Sequence, residues 1–317
     1  MPDQHSISPA FPSNLPKPEL EEPKAKMNVW VKSLSSLALY LVIGYFFFNK
    51  NWTLVFILTG VVIFHELGHF FAMKFYKYQD LGIFFIPLMG AYVSGTKQEI
   101  SQRQSAVILL AGPVPGILVG IIFHILAQSY DNYMLEMSAW ILIYLNILNL
   151  LPVYPLDGGQ LLHRLFLDNF NIIGKIFVVI SAAALAYFAI KINFYPLLLF
   201  PALMIMRMIS EIKHERLSAK IEAEGIDLMK SYEEISAEEY WQIRNLLIKY
   251  HPPLKDVASS PPFEISPKED QVVTVIQNLL QRSITQDLSI AGKLLILIIW
   301  VGCFLAPLYL SLPLRFF

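Results

Sequence analysis

Between Trp52 and Tyr76 the chain is almost free of charge, and in the middle of that apolar stretch stand His65-Glu66-Leu67-Gly68-His69. An apolar run of this length reads as a membrane-spanning helix, and on a helix residues four apart share a face. His65 and His69 can therefore aim two imidazoles at one point while Glu66 projects beside them. Ligands two or five apart would face away. Two histidines bind zinc as neutral nitrogen donors, and a neighbouring carboxylate can take a proton from a water that the metal has acidified to near neutrality. Each ionisable side chain at mid-bilayer costs roughly 2.5 to 3.5 kcal/mol on insertion scales, so three clustered in one span call for a shared physical reason. A metal site is one such reason; the plainer one is polar contact between packed helices.

Composition agrees with a membrane setting. Hydrophobic residues make up 55% of the 317 and charged residues only 15%, with several uncharged runs of spanning length. The formal net charge of −1 points to no nucleic-acid partner. A single cysteine, Cys303, excludes a disulfide framework within the chain. Residues 1–27 are rich in proline, carry both signs of charge and lack an apolar core, so they read as a disordered tail rather than a leader.

Hydropathy places spans near 33–49, 52–76, 104–128, 134–156, 172–192, 193–210 and 290–312. Lys24, Lys26 and Lys32, then Lys74, Lys77, Lys97 and Arg103, then His163, Arg164 and Lys175, and finally Arg207, Lys213 and Arg216 all fall on one side. By the positive-inside rule that side, with the amino terminus, is cytosolic. Pro196 and Pro201 make the sixth span short or broken. The fold class expected is an all-α polytopic membrane protein of about six to seven transmembrane helices, with a small membrane-embedded β-hairpin and a mostly helical cytosolic insert. Its parts are the tail, a transmembrane core at 28–211, the insert at 212–289 and a last transmembrane helix at 290–317.

The hairpin is read from residues 80–95, too short and too punctuated by Gly82, Pro87, Gly90 and Gly95 to span. Two short strands turning near Pro87 to Gly90 would leave an edge able to pair with an extended peptide, Tyr92 being one such edge position. An interfacial loop is the other reading. In the third span Gly112-Pro113 breaks or kinks the helix; His124, further along it, reads as a packing histidine on the far side from the metal. The fourth span ends in Asn149-Leu150-Leu151-Pro152 and Leu156-Asp157-Gly158-Gly159, where prolines and glycines unwind the helix around a carboxylate. Spans two and four run the same way, so Asp157 reaches the same end of the bundle as His69 and is the natural third ligand, ahead of Asp168 and Glu99. Counting from His69 to Lys74 and Lys77 sets the site roughly 8 to 14 Å inside the cytosolic surface.

In the insert, Ser236-Ala237-Glu238-Glu239 is a capping box with Ile235 and Tyr240 as its hydrophobic staple, and Tyr240, Ile243, Leu247 and Tyr250 share a face. Ser266-Pro267-Lys268-Glu269 is a second box, with proline at the first helical position ahead of an apolar stripe at Val272, Val273, Ile276, Leu279 and Leu280. The proline-rich stretch 252–267 reads as a linker.

Taken together, His65-Glu66-Leu67-Gly68-His69, Gly112-Pro113, and Asn149-Leu150-Leu151-Pro152 running to Leu156-Asp157-Gly158 resemble the site-2 protease family of intramembrane metalloproteases, over a catalytic core of about 52–165. The resemblance implies one zinc held by His65, His69 and Asp157, Glu66 as general base, and cleavage of the transmembrane segment of a single-span protein within the bilayer. It suits a bacterial inner membrane, where members release tethered regulators or clear signal-peptide remnants. Asn149 and Tyr92 are candidates for contacts to substrate or oxyanion. The chain departs from the family at Gly116, where relatives often carry asparagine, and at Ala91, where glycine is common. The insert resembles neither a PDZ nor a CBS module. Competing readings are a divalent-metal transporter or sensor, which would need polar groups continuing to the outer face, and a membrane zincin of the prenyl-protein protease kind, which takes its third ligand from a glutamate.

Overall fold

The computed structural model describes residues 16–19, 28–87, 90–97, 100–167, 171–250, 254, 256–257, 266–280 and 285–309. Contacts divide the chain into a unit of residues 25–206 and 284–317 and a second of residues 1–24 and 207–283.

In the first unit, α1 (Val29–Phe47) and α2 (Trp52–Phe75) are both started by asparagines. Asn28 Oδ1 accepts from the Trp30 amide and Asn51 Oδ1 from that of Leu54, satisfying donors that a helix start otherwise orphans. The segment after α2 is a hairpin, β1 (Gln79–Ile86) paired antiparallel with β2 (Gly90–Thr96); Leu88 and Met89 of its turn lie outside the described residues. Ile83, Phe85, Ala91 and Val93 pack with Val62 of α2 and with Leu37 and Tyr40 of α1.

The hairpin's register corrects one expectation. The Phe85 amide donates to Ser36 Oγ of α1 at 3.1 Å, so it points away from β2. Antiparallel ladders alternate, which makes Phe85–Ala91 and Ile83–Val93 the pairs whose backbone groups face outward and Phe84–Tyr92 a pair bonded to each other. The edge donors of β2 are therefore Ala91 and Val93. Tyr92 is not an edge position.

The third apolar stretch forms α3 (Gln102–Ala111) and α4 (Pro113–Tyr130), joined at Gly112, whose φ of −77° and ψ of −65° remain helical. Gly112-Pro113 thus divides the stretch into two helices while the Gly112 backbone stays in the helical region. A turn at Asp131, in the left-handed region, leads into α5 (Tyr133–Asn149), which packs along α4 around Ile117, Ile143, Ile147 and Leu150. After Asn149 the backbone leaves the helix, as Pro152 and Pro155 require, and resumes at α6 (Asp157–Leu162), extended by a π-helical turn His163–Leu167. Next come α7 (Asn171–Lys191), a 3₁₀ turn Tyr195–Leu198, α8 (Leu199–Glu222) with Pro201 in its first turn, and, after the insert, the C-terminal helix α11 (Ile290–Tyr309). Protein groups satisfy the irregular stretch before α6: Trp300 Nε1 of α11 donates to the Leu150 carbonyl at 2.8 Å, and the Tyr154 amide donates to Ser181 Oγ of α7 at 3.2 Å. Away from water, irregular backbone needs such partners.

Among the described residues five helical stretches are long and apolar enough to cross a membrane: Val29–Phe47, Trp52–Phe75, Gln102–Tyr130, Ile172–Lys191 and Tyr195–Glu222. At 17 residues α5 is shorter, as is the apolar part of α11, Ile290–Leu305. Large apolar side chains such as Leu34, Phe56, Leu118 and Ile180 are exposed, as helices facing lipid would have them.

The second unit has its own core of α9 (Ala237–Tyr250) and α10 (Glu269–Leu279) with the end of α8. The first capping box forms: Ser236 Oγ accepts from the Glu239 amide at 3.1 Å, and Glu239 Oε2 from that of Ser236 at 2.8 Å. The second does so only in part. Helix α10 begins at Glu269 rather than Pro267, because that carboxylate is drawn into the core, where Arg244 Nε and Nη2 (2.7 and 2.9 Å) and Tyr240 Oη (2.6 Å) donate to it. Within the expected linker, Leu254 and Val257 are buried in the same core. Residues 16–19, expected to belong to a disordered tail, are also docked here: Lys17 Nζ donates to the carbonyls of Tyr232, Glu233 and Ile235 at 2.8 to 3.1 Å, and Tyr232 Oη to that of Pro18.

Burial alone would raise the pKa of Glu269, but Arg244 and Tyr240 hold it below the ordinary carboxylate range. This stabilisation is therefore complete at neutral pH and is lost only as pH falls through that depressed value. Removing one partner from a buried pair typically costs about 3 to 5 kcal/mol. Glu269→Gln should accordingly raise hydrogen exchange throughout 240–248 and 269–279 at pH 7, while Lys268→Ala, on an exposed pair, should leave it unchanged; equal exchange in the two would contradict this account of the core.

Candidate metal centre

Helix α2 places His65 and His69 one turn apart, their ring centroids 4.7 Å from each other, and buries them with Glu66: the three are 4%, 8% and 5% exposed. Helices on either side fix the rings. His69 Nδ1–H donates to the Ile108 carbonyl of α3 at 2.7 Å, and His65 Nδ1 lies 2.7 Å from Asn146 Oδ1 of α5. With Nδ1 committed to an acceptor, each neutral ring turns the lone pair of Nε2 the other way. The two Nε2 atoms stand 3.0 Å apart. Asp157 Oδ2, at the first residue of α6, lies 3.1 Å from the one and 3.3 Å from the other.

These three atoms form a compact triangle of acceptors. Asp157 Oδ2 is buried without a hydrogen-bond partner, and two imidazole lone pairs face it. Such an arrangement is repulsive unless a cation lies against all three. Four tetrahedral ligands at about 2.0 to 2.1 Å from a zinc ion stand roughly 3.3 Å from one another, so a triangle of this size suits that ion. Two neutral nitrogens and one carboxylate are also a donor set characteristic of it. His65, His69 and Asp157 are thus a group that could hold a metal.

Glu66 stands outside the triangle, within electrostatic reach of all three of its members. Gly112 has a steric role: a Cβ there would fall 2.4 Å from His69 Nε2, so the α3–α4 junction admits the imidazole only because it has no side chain. Asn149, at the end of α5, is half-buried one turn beyond Asn146. Tyr92 is 49% exposed and lies over the Phe84 ring, with centroids 5.5 Å apart. Asp168 and Glu99, the rival third ligands, lie outside the described residues.

His124 belongs to a different cluster. Its Nδ1–H donates to Glu136 at 3.1 Å, and Gln128 Nε2 donates to its Nε2 at 3.0 Å. Along α4 and α5, Ile117, Ile121 and Ile143, which pack in one cluster, lie between that group and the triangle. Sequence reasoning missed Asn146 and the Ile108 carbonyl. The one available signal was that Asn146 is a polar side chain within an apolar span; nothing in a sequence marks which backbone carbonyl will face a ring.

Comparison with known proteins follows the same residues. Positions 53–132, which include His65, Glu66, His69, Gly112 and Pro113, match the family model described as Peptidase family M50. The zinc metalloprotease MJ0392 of Methanocaldococcus jannaschii is 30% identical over 146 residues, 43% of this chain and 41% of that one. Stage IV sporulation protein FB of Bacillus subtilis is 28% identical over 108 residues, 33% of this chain and 38% of that one. The chain thus spans about two fifths of the length of these curated relatives. A solved site-2 protease from Methanocaldococcus jannaschii is similar at a TM-score of 0.41 and 22% identity, covering 57% of this chain and 88% of that one. The match to Peptidase family M50 over residues 53–132 agrees with the site-2 protease family that the motifs of this chain resemble.

Proposed function

We propose that this protein is a zinc-dependent intramembrane endopeptidase that cleaves transmembrane segments of membrane-tethered proteins. The observation that carries the reading is the buried triangle of His65 Nε2, His69 Nε2 and Asp157 Oδ2, with an ionisable carboxylate beside it that is not one of its members. His65, His69 and Asp157 would hold the metal. A bound zinc supplies Lewis acidity, lowering the pKa of a water towards 7 and polarising a carbonyl oxygen. Glu66 takes the proton of the attacking water and returns it to the leaving amine. We assign to Asn149, half-buried at the end of α5, the role of donating to substrate.

We read α5 and α11 as further spans beside the five longer stretches, and the amino terminus as cytosolic. A substrate helix hides its amides in internal hydrogen bonds and must unwind before it can be cut. The edge of β2 at Ala91 and Val93 offers an extended segment backbone partners. A transporter would need polar groups joining the triangle to the outer face. Instead the isoleucines of α4 and α5 stand between it and His124.

Three sets of variants test this reading. His65→Ala and His69→Ala should each abolish stoichiometric zinc in protein purified in detergent, and Asp157→Ala should lower it; zinc content unchanged in all three would refute the ligand set. Glu66→Gln should keep about one zinc per chain yet cleave a tagged transmembrane substrate at least about 10²-fold more slowly, since a general base is typically worth 10² to 10⁴. Full-rate cleavage by that variant would overturn the mechanism. On the hairpin, Val93→Pro removes an outward donor and should slow cleavage with zinc retained, whereas Tyr92→Pro cuts the hairpin's own ladder and should unfold it. If Val93→Pro cleaves normally, β2 is not where substrate pairs.

A further inference from the structure

Asn146 is wholly buried in the last turn of α5, and two contacts fix its orientation. Its Nδ2 donates to the Leu142 carbonyl at 2.6 Å, and its Oδ1 lies 2.7 Å from His65 Nδ1. Rotating the amide by half a turn would set Oδ1 against the Leu142 oxygen at that distance, two acceptors with no proton between them. The Leu142 carbonyl therefore dictates that Oδ1 faces His65, and an acceptor there dictates that His65 carries its proton on Nδ1. A backbone carbonyl one turn up α5 thus selects, through Asn146, which nitrogen of His65 is free.

The facing residue of α4 fits this arrangement. A Cβ on Gly116 would lie 2.2, 2.5 and 2.7 Å from Nδ2, Cγ and Oδ1 of Asn146. No side chain can occupy position 116 while the Asn146 amide stays where it is. This gives a physical reason for glycine at position 116: in this chain an amide from α5 already fills that space.

We propose that Asn146 is a positioning residue for the metal centre, holding His65 in the tautomer and ring orientation that aim Nε2 at His69 Nε2 and Asp157 Oδ2, and that Gly116 is required because Asn146 stands there. The inference rests on the metal-site reading above. Partners that orient a ligating imidazole typically contribute about 10- to 100-fold in metal affinity.

The test is Zn²⁺ affinity of the full-length protein in detergent, measured by competition with a chromophoric chelator. Asn146→Leu, similar in size but without the acceptor, should weaken binding by about 10- to 100-fold. Asn146→Asp restores an acceptor for the His65 Nδ1–H and should recover most of the loss. Gly116→Ala should weaken binding by displacing the amide, and the Gly116→Ala/Asn146→Leu pair should be no worse than Asn146→Leu alone. Should Asn146→Leu fold poorly, Gly116→Ala still tests the proposal by itself. Nitrogen-15 shifts of labelled histidine give an independent readout: His65, His69 and His124 should each be held in the Nδ1–H form in the unsubstituted protein, and His65 alone should lose that form in Asn146→Leu.

Unchanged affinity in both Asn146→Leu and Gly116→Ala would overturn the proposal, as would equal losses in Asn146→Leu and Asn146→Asp, since packing alone would explain the latter. Zinc retained by His65→Ala would instead defeat the metal-site reading itself. The two failures are therefore distinguishable.

Discussion

Three acceptor atoms, His65 Nε2, His69 Nε2 and Asp157 Oδ2, are held within 3.3 Å of one another in an apolar helical bundle. Without a cation between them such a cluster is costly, and much of the surrounding architecture serves to maintain it. The α3 backbone fixes one imidazole through the Ile108 carbonyl, and α5 fixes the other through Asn146. The unwound stretch before α6 brings the carboxylate in, while α7 and α11 satisfy backbone groups that the unwinding frees. Glycine at the α3–α4 junction leaves room for a ring. Side chains that look unrelated along the chain thus share one geometric task.

The parts of this arrangement that follow from helical periodicity were legible in the sequence. Histidines four apart must share a face, and two spans running the same way must end together, so His65, His69 and Asp157 could be grouped before any coordinates. The hairpin was legible from its glycines and proline, but its register was not, because Ser36 of α1 decides which amides of β1 face outward. That distant contact removes Tyr92 from the edge. Asn146 escaped for a related reason: periodicity cannot tell which of two asparagines three residues apart faces a ring on another helix.

Local signals held where they were self-contained and failed where burial intervened. The box at Ser236 and Glu239 closes on itself, so its helix starts where the sequence places it. The box at Ser266 and Glu269 lends its carboxylate to Arg244 and Tyr240, and its helix starts late. Lys17 likewise sits in a stretch whose composition suggests disorder, yet three carbonyls of the 231–235 turn hold its ammonium.

The central claim is that these three side chains form one metal site, and X-ray absorption at the zinc edge of the full-length protein tests it most directly. The account predicts one zinc per chain with two imidazole nitrogens at about 2.0 to 2.1 Å and oxygen donors at about 2.0 to 2.2 Å, and loss of the zinc signal in His65→Ala. A zinc shell with one imidazole or none in the unsubstituted protein, or a spectrum unchanged by His65→Ala, would contradict it.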